Sequence, residues 1–168
     1  MVKRHLFRLN APKSWPLQRK GIRFVTRPSP GAHPLRESIP LALVVSELLK
    51  VARTRKEVKK VLREGKIIVN GRSRKDLGFA VGIMDVIDVP LLKETYRVSY
   101  TLQGKFHLIP LPAEEKMVLP LKIINKMPSR GGKIQVHTSN GMNLLLEGNT
   151  YATGDTILLA LDKKQVVG

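Results

Sequence analysis

Thr54-Arg55-Lys56-Glu57-Val58-Lys59-Lys60-Val61-Leu62-Arg63-Glu64-Gly65-Lys66-Ile67-Ile68-Val69-Asn70-Gly71 is the stretch that decides the fold of this 168-residue chain. Thr54 and Glu57 form a T-x-x-E capping box, in which each side chain satisfies a backbone N–H left free at a helix start. Gly65 supplies the stop. Between them Val58, Val61 and Leu62 face a core, while Lys56, Lys59, Lys60 and Arg63 fall at i, i+3, i+4 and i+7 and share the other face. Arg53 and Arg55 extend that basic stripe into the preceding turn. After the stop, Lys66-Ile67-Ile68-Val69 reads as a short strand, and Asn70-Gly71 is the strongest short hairpin signal. Arg72, Arg74 and Lys75 then project from the turn.

Upstream, Ser38 can cap a first helix opening near Pro40, since proline is tolerated in a first turn. Leu41, Val44, Val45, Leu48, Leu49 and Ala52 recur at helical spacing there. Downstream, Gly82 to Val89 reads as another strand, ended by Pro90. Tyr96, Val98, Tyr100 and Leu102 alternate with polar residues, and Gln103-Gly104 turns the chain into a partner at 105–109. Segments 121–125, 133–138, 142–147 and 156–161 continue the pattern, with Asn140-Gly141 and Gly154-Asp155 as turns. Short strands with regular turns predict a small barrel or sandwich.

The first 38 residues differ. Prolines at 12, 16, 28, 30 and 34 deny helix, and nine basic residues are spread among them. This predicts an extended basic arm that orders on a polyanion. Trp15, within Lys13-Ser14-Trp15-Pro16, has two readings: it stacks on a base, or it anchors the arm to the folded part. The expected architecture is α+β in three parts: arm 1–38, a helix pair with a small sheet 39–92, and a mostly antiparallel β domain 93–168.

Charge narrows the function. Lys and Arg number 30 against 13 Asp and Glu, a net +17. Residues 1–75 carry 20 of the basic and only 4 of the acidic residues, so the excess localises the partner to the first half. A phosphate backbone suits it, since each neutralised phosphate releases counterions. Aromatics are only 5%, so stacking is not the main source of affinity. An anionic membrane is the rival partner, but neither helix has the aromatic apolar side of a membrane-surface helix. No run reaches the roughly 18 apolar residues of a membrane span, and Met1-Val2-Lys3-Arg4-His5 has no apolar core of a secretory signal behind it.

Catalytic chemistry finds little footing. There is no cysteine, and His5, His33, His107 and His137 lie far apart, so no thiolate or paired-histidine metal site is expected. Gly131-Gly132-Lys133 lacks the glycine a phosphate loop needs five residues earlier, where Met127 stands with Pro128 behind it. Glu114 and Glu115 are adjacent and point apart, Asp85 and Asp88 face opposite sides of a strand-like stretch, and no G-x-S-x-G elbow is present.

The segment from Thr54 to Gly71 resembles the S-four RNA-binding domain, a helix pair against a small sheet. His5-Leu6-Phe7-Arg8-Leu9-Asn10-Ala11-Pro12-Lys13-Ser14-Trp15, Arg27-Pro28-Ser29-Pro30-Gly31-Ala32-His33, Leu35-Arg36-Glu37-Ser38-Ile39-Pro40-Leu41 and Gly82-Ile83-Met84-Asp85-Val86-Ile87 resemble, in order, the e-type small-subunit ribosomal protein four of archaea and eukaryotes. The similarity covers at least residues 3–89, with archaeal spacing; the β half resembles that family more weakly. The family usually continues into a C-terminal KOW-type barrel, whereas this sequence ends at Gly168.

The resemblance implies a cytoplasmic, ribosome-bound protein that binds small-subunit rRNA beside neighbouring ribosomal proteins. It implies no enzyme, cofactor, metal, membrane, small-molecule substrate or self-association. A free-standing RNA-binding assembly or rescue factor is the alternative. The residues expected to touch RNA are Lys3, Arg4, Arg8, Lys13, Trp15, Arg19, Lys20, Arg23, Arg27 and Arg36 of the arm. Arg53, Arg55, Lys56, Lys59, Lys60 and Arg63 join them from the helix pair, and Arg72, Arg74 and Lys75 from the hairpin.

Overall fold

From Leu41 onward the chain does turn helically, though not as one regular helix. In the computed structural model, which describes residues 5–18, 20–112, 115–147, 151–161 and 165–166, α1 (Leu41–Leu43) passes directly into a wide π-turn (Val44–Leu48). The Leu49 N–H donates to the Val44 carbonyl, five residues back, at 2.8 Å. Lys50, with φ of 54°, turns the chain out. Then α2 (Arg55–Arg63) follows its signal closely: the Thr54 hydroxyl accepts from the Glu57 N–H, and the Glu57 carboxylate accepts from the Thr54 and Arg53 N–H groups.

The backbone separates into two compact units, residues 1–116 and 117–168. In the first, β1 (His5–Phe7) pairs antiparallel with β2 (Phe24–Thr26), and β3 (Ser38–Pro40) with β6 (Ala80–Gly82). A five-stranded antiparallel sheet runs β5-β4-β7-β8-β9, where β4 is Ile68–Val69, β5 Arg72–Ser73, β7 Val86–Val89, β8 Glu94–Tyr100 and β9 Phe106–Pro110. The β8–β9 hairpin therefore extends the sheet of the helix pair. The expected strand 82–89 is broken: Met84, at φ of 67°, bends the chain between β6 and β7. That bend places Asp85 in the interior, 2% exposed.

The arm is folded as well. Trp15 is 3% exposed and its indole N–H donates to the Ser38 carbonyl at 2.8 Å. The Phe106 N–H donates to the Ser14 carbonyl at 2.9 Å. Of the two readings of Trp15 the structure takes the anchor, because burial removes its ring from any RNA. Ser38, expected to cap a helix, lies instead in β3, fully buried, with its hydroxyl donating to the Pro34 carbonyl. Its polar groups serve the arm. Leu41, Val44, Val45, Leu62, Ile67, Ile87 and Val98 make the core between helices and sheet.

The second unit is one antiparallel sheet in the order β12-β11-β10-β13-β14. The long strand β10 (Val118–Pro128) pairs through residues 118–122 with β13 (Thr156–Ala160) and through 123–128 with β11 (Lys133–Thr138). The β11 pairing begins at Ile123, opposite Thr138, and a bulge between Ile123 and Asn125 interrupts it; bulges bend a strand and raise its twist. The sheet therefore curls into a half-barrel, with β12 (Asn143–Glu147) and β14 (Gln165–Val166) at its edges. Leu119, Leu121, Ile123, Val136, Ile157 and Leu159 fill its inner face. Gly131 and Gly132, at φ of 77° and 71°, make the β10–β11 turn.

A contact between His33 and the buried Asp85 ties the arm to the bend between β6 and β7. Asp85 accepts from the Gly82 N–H at 2.8 Å and the Asn70 amide at 2.7 Å, and His33 Nε2 stands 3.4 Å away. The Asp85 carboxylate raises the His33 pKa above its ordinary value, against burial; Glu37 adds a smaller push. A folded pKa above the unfolded value near 6.5 means the pair contributes fully below that pH and fades as pH rises through the folded value. The melting-temperature deficit of His33→Ala should therefore be largest in mild acid and shrink with rising pH. A Cβ on Gly82 would lie 2.4 Å from the His33 ring, so Gly82→Ala should abolish that pH dependence in the same melting series.

Candidate RNA interface

The capping box fixes the start of α2, and the apolar spacing fixes its rotation. Val58 and Leu62 are buried at 3% and 0%, which leaves Lys56, Lys59, Lys60 and Arg63 exposed on the far side. These four, with Glu64, border a shallow groove of about 480 Å³. Glu64 is engaged by Lys66, whose ammonium lowers its pKa. Lys66 is thereby partly neutralised, while the four cations of the groove keep a single sign. Like charges at i, i+4 repel by a few tenths of a kcal/mol per pair in an isolated helix, so α2 depends on its cap and its buried face.

The turn before α2 brings more cations together. Arg53 and Arg55 line one side of a cleft of about 490 Å³, and Arg8 and Lys20 of the arm also line it. Arg55 also borders a smaller cleft of about 290 Å³ with Arg27. The helix-turn cations and three arm cations thus converge, although they lie up to 47 residues apart in sequence. Arg8 donates weakly to the Ile22 carbonyl through Nη1 (3.4 Å).

Other expected residues stand apart. Arg72 and Lys75 are exposed on and after the β4–β5 hairpin, while Arg74 lies 4.5 Å over the Phe79 ring and is half-buried. Lys13 and Arg36 are exposed elsewhere on the arm. Lys3, Arg4 and Arg19 fall outside the described residues, as does Glu114. Among the described residues no three His, Asp or Glu are grouped to hold a metal, and no helix is long and apolar enough to cross a membrane.

One group escaped the sequence reading. Phe7 and Phe24 are 46% and 41% exposed, with centroids 4.8 Å apart; His5 meets Phe24 edge-on at 5.1 Å. The Arg23 guanidinium stands 5.7 Å and 5.5 Å from the two Phe centroids. The interleaving of Ile22-Arg23-Phe24 with Arg27 was its only sequence signal, and it needs the β1–β2 pairing to bring Phe7 alongside.

This geometry, a capped basic helix against a small antiparallel sheet, is that of an S4-type RNA-binding module. Residues 40–87 match the S4 domain family, residues 2–36 the RS4NT (NUC023) domain and residues 92–166 the Ribosomal family S4e. The small ribosomal subunit protein eS4 of Methanocella arvoryzae is 40% identical over 166 residues, covering 99% of this chain and 70% of the relative. That of Methanocaldococcus jannaschii is 41% identical over 172 residues, covering 98% and 70%. The crystal structure of the 30S ribosomal protein S4e from Thermoplasma acidophilum superimposes with a TM-score of 0.67 at 27% identity, covering 79% of this chain and 68% of that one. The chain belongs to the eS4 family of small ribosomal subunit proteins, a structural and non-enzymatic family. It spans about 70% of the length of these curated relatives.

The cap fixes the start of α2, and its removal is measurable. Hydrogen bonds from the Thr54 backbone and hydroxyl, then the Arg53 N–H, lower the Glu57 pKa from 4.5. A depressed folded pKa gives stability that is present above the unfolded value and lost as pH falls through the folded one. Thr54→Ala should cost about 1 kcal/mol in chemical denaturation at neutral pH, with the helix signal in circular dichroism reduced.

Proposed function

We propose that this chain is a structural constituent of the small ribosomal subunit that binds small-subunit rRNA and stabilises its fold in assembly and translation. The observation that carries this reading is the single-sign basic surface of α2 and its preceding turn, in a chain whose relatives are named small ribosomal subunit proteins. Its partners are rRNA and neighbouring small-subunit proteins, and its place is on the ribosome in the cytoplasm.

In this reading Lys56, Lys59, Lys60 and Arg63 hold phosphates from a rigid helix face, and Arg53 and Arg55 extend that surface to Arg8, Lys20 and Arg27. Arg23, Lys13, Arg36, Arg72, Arg74 and Lys75 contribute along the flanks. Residues 1–38 work as a basic segment laid on the module and residues 39–92 as the RNA-reading module; of the expected β domain 93–168, the β8–β9 hairpin extends the module's sheet and residues 117–168 form a separate β unit. A-form RNA hides its base edges in a deep groove, so shape and phosphate contacts dominate.

Reversing Lys59 and Lys60 to Glu should weaken binding to transcribed small-subunit rRNA and lower the salt slope by roughly one for each phosphate no longer neutralised. Unchanged affinity and slope in filter binding would remove α2 from the interface. Sedimentation of lysate through sucrose separates the ribosomal role from a free assembly or rescue factor. Stoichiometric presence in small subunits and translating ribosomes at moderate salt is the expected result; confinement to free or precursor fractions would identify the latter.

A further inference from the structure

We propose that the cleft between the β1–β2 ribbon and the helix pair holds one unstacked nucleotide of the bound RNA, with its base against Phe24 and its phosphate among Arg8, Arg53 and Arg55. This rests on the RNA-binding reading above and adds to it a built subsite that phosphate contact alone does not require.

The lining carries two chemistries in one place. Ile22, Phe24, Val25, Leu43 and Val58 supply apolar wall, while Arg8, Lys20, Arg53 and Arg55 supply cations. Among the described residues Glu47 is the one acidic group in the lining; a carboxylate there suits an exocyclic amino group of a base. The cleft's volume of about 490 Å³ lies within the roughly 300–1,000 Å³ of small-ligand sites. A polyanion lying on a flat basic face needs no apolar wall. A flat aromatic ligand bearing an anion needs both, and a nucleotide splayed from its helix is that ligand in RNA.

Two further observations point the same way. Arg8 Nη2 is buried with no hydrogen-bond partner among the described residues. A buried donor without an acceptor is costly, and a phosphate or base carbonyl in the cleft supplies one. Phe24 keeps 41% exposure although His5, Phe7 and Arg23 already crowd its ring. Those neighbours fix the ring as a preformed surface, which limits the entropy lost when a base settles on it.

The test measures binding of the full chain to transcribed small-subunit rRNA across a range of salt, alongside the Lys59→Glu, Lys60→Glu double variant. Phe24→Ala should lose roughly 5- to 150-fold in affinity, the range of one base–aromatic stack, with the salt slope unchanged; Phe24→Trp should retain binding. If Phe24→Ala binds like wild type while the lysine reversal weakens binding, the cleft proposal falls and the RNA reading stands. If neither variant changes binding, both fall.

Photocrosslinking keeps the test decisive should Phe24→Ala misfold. Ile22 is 72% exposed and lines the cleft, so p-benzoylphenylalanine at this position should crosslink in assembled subunits to an unpaired rRNA nucleotide. Crosslinks confined to paired RNA, or to a neighbouring protein, would overturn the proposal, the latter in favour of a protein partner.

Discussion

The carboxylate of Asp85 is the constraint on which the first unit depends. It lies in the interior and gathers three donors from different parts of the chain: the Asn70 amide of the β4–β5 turn, the Gly82 N–H of β6 and the His33 ring of the arm. A buried charge is tolerable only when its lone pairs are met. Each of these segments is therefore required to be where it is. Asn70 completes the arrangement by accepting the Val86 N–H at 2.8 Å, which locks the hairpin carrying Arg72 to β7. The φ of 67° at Met84 and the bare Cα of Gly82 under the His33 ring are local strains and spaces that this carboxylate organises.

The basic surface imposes the opposite demand. Concentrating cations on one helix and one turn raises repulsion in the folded state, and the burial of Val58 and Leu62 and the reciprocal cap at Thr54 and Glu57 oppose it. Function and stability thus divide α2 lengthwise. The second unit carries little of the charge excess and is organised by alternation, with Leu119, Leu121 and Ile123 inward and Ile124, 62% exposed, on the outer face.

Much of this was legible in the sequence because the signals were local. The capping box, Asn70-Gly71 and the alternation at 94–110 rest on contacts within a few residues, and the strands near 133–138, 143–147 and 156–160 on their own alternation and flanking turns. What was not legible depended on distant partners. The π-turn at Val44–Leu48 has the same apolar spacing as a regular helix. Met84 carries no turn signature, and its bend sets Asp85 among donors distant in sequence. Trp15 could be an anchor or a stacking ring until Ser38, 23 residues away, offered its carbonyl. The basic residues were identifiable singly; their convergence around Arg55 and the aromatic group at Phe7 and Phe24 needed the pairing of β1 with β2.

The bond between the Phe106 N–H and the Ser14 carbonyl bears on the order in which the molecule comes into being. Synthesis delivers the N-terminal segment first, yet this contact waits for residue 106 to emerge. Until then the nascent chain carries its basic arm without this tie, and Trp15 without its full enclosure. A newly made copy therefore meets the polyanions of the cell before its own β9 can receive the arm.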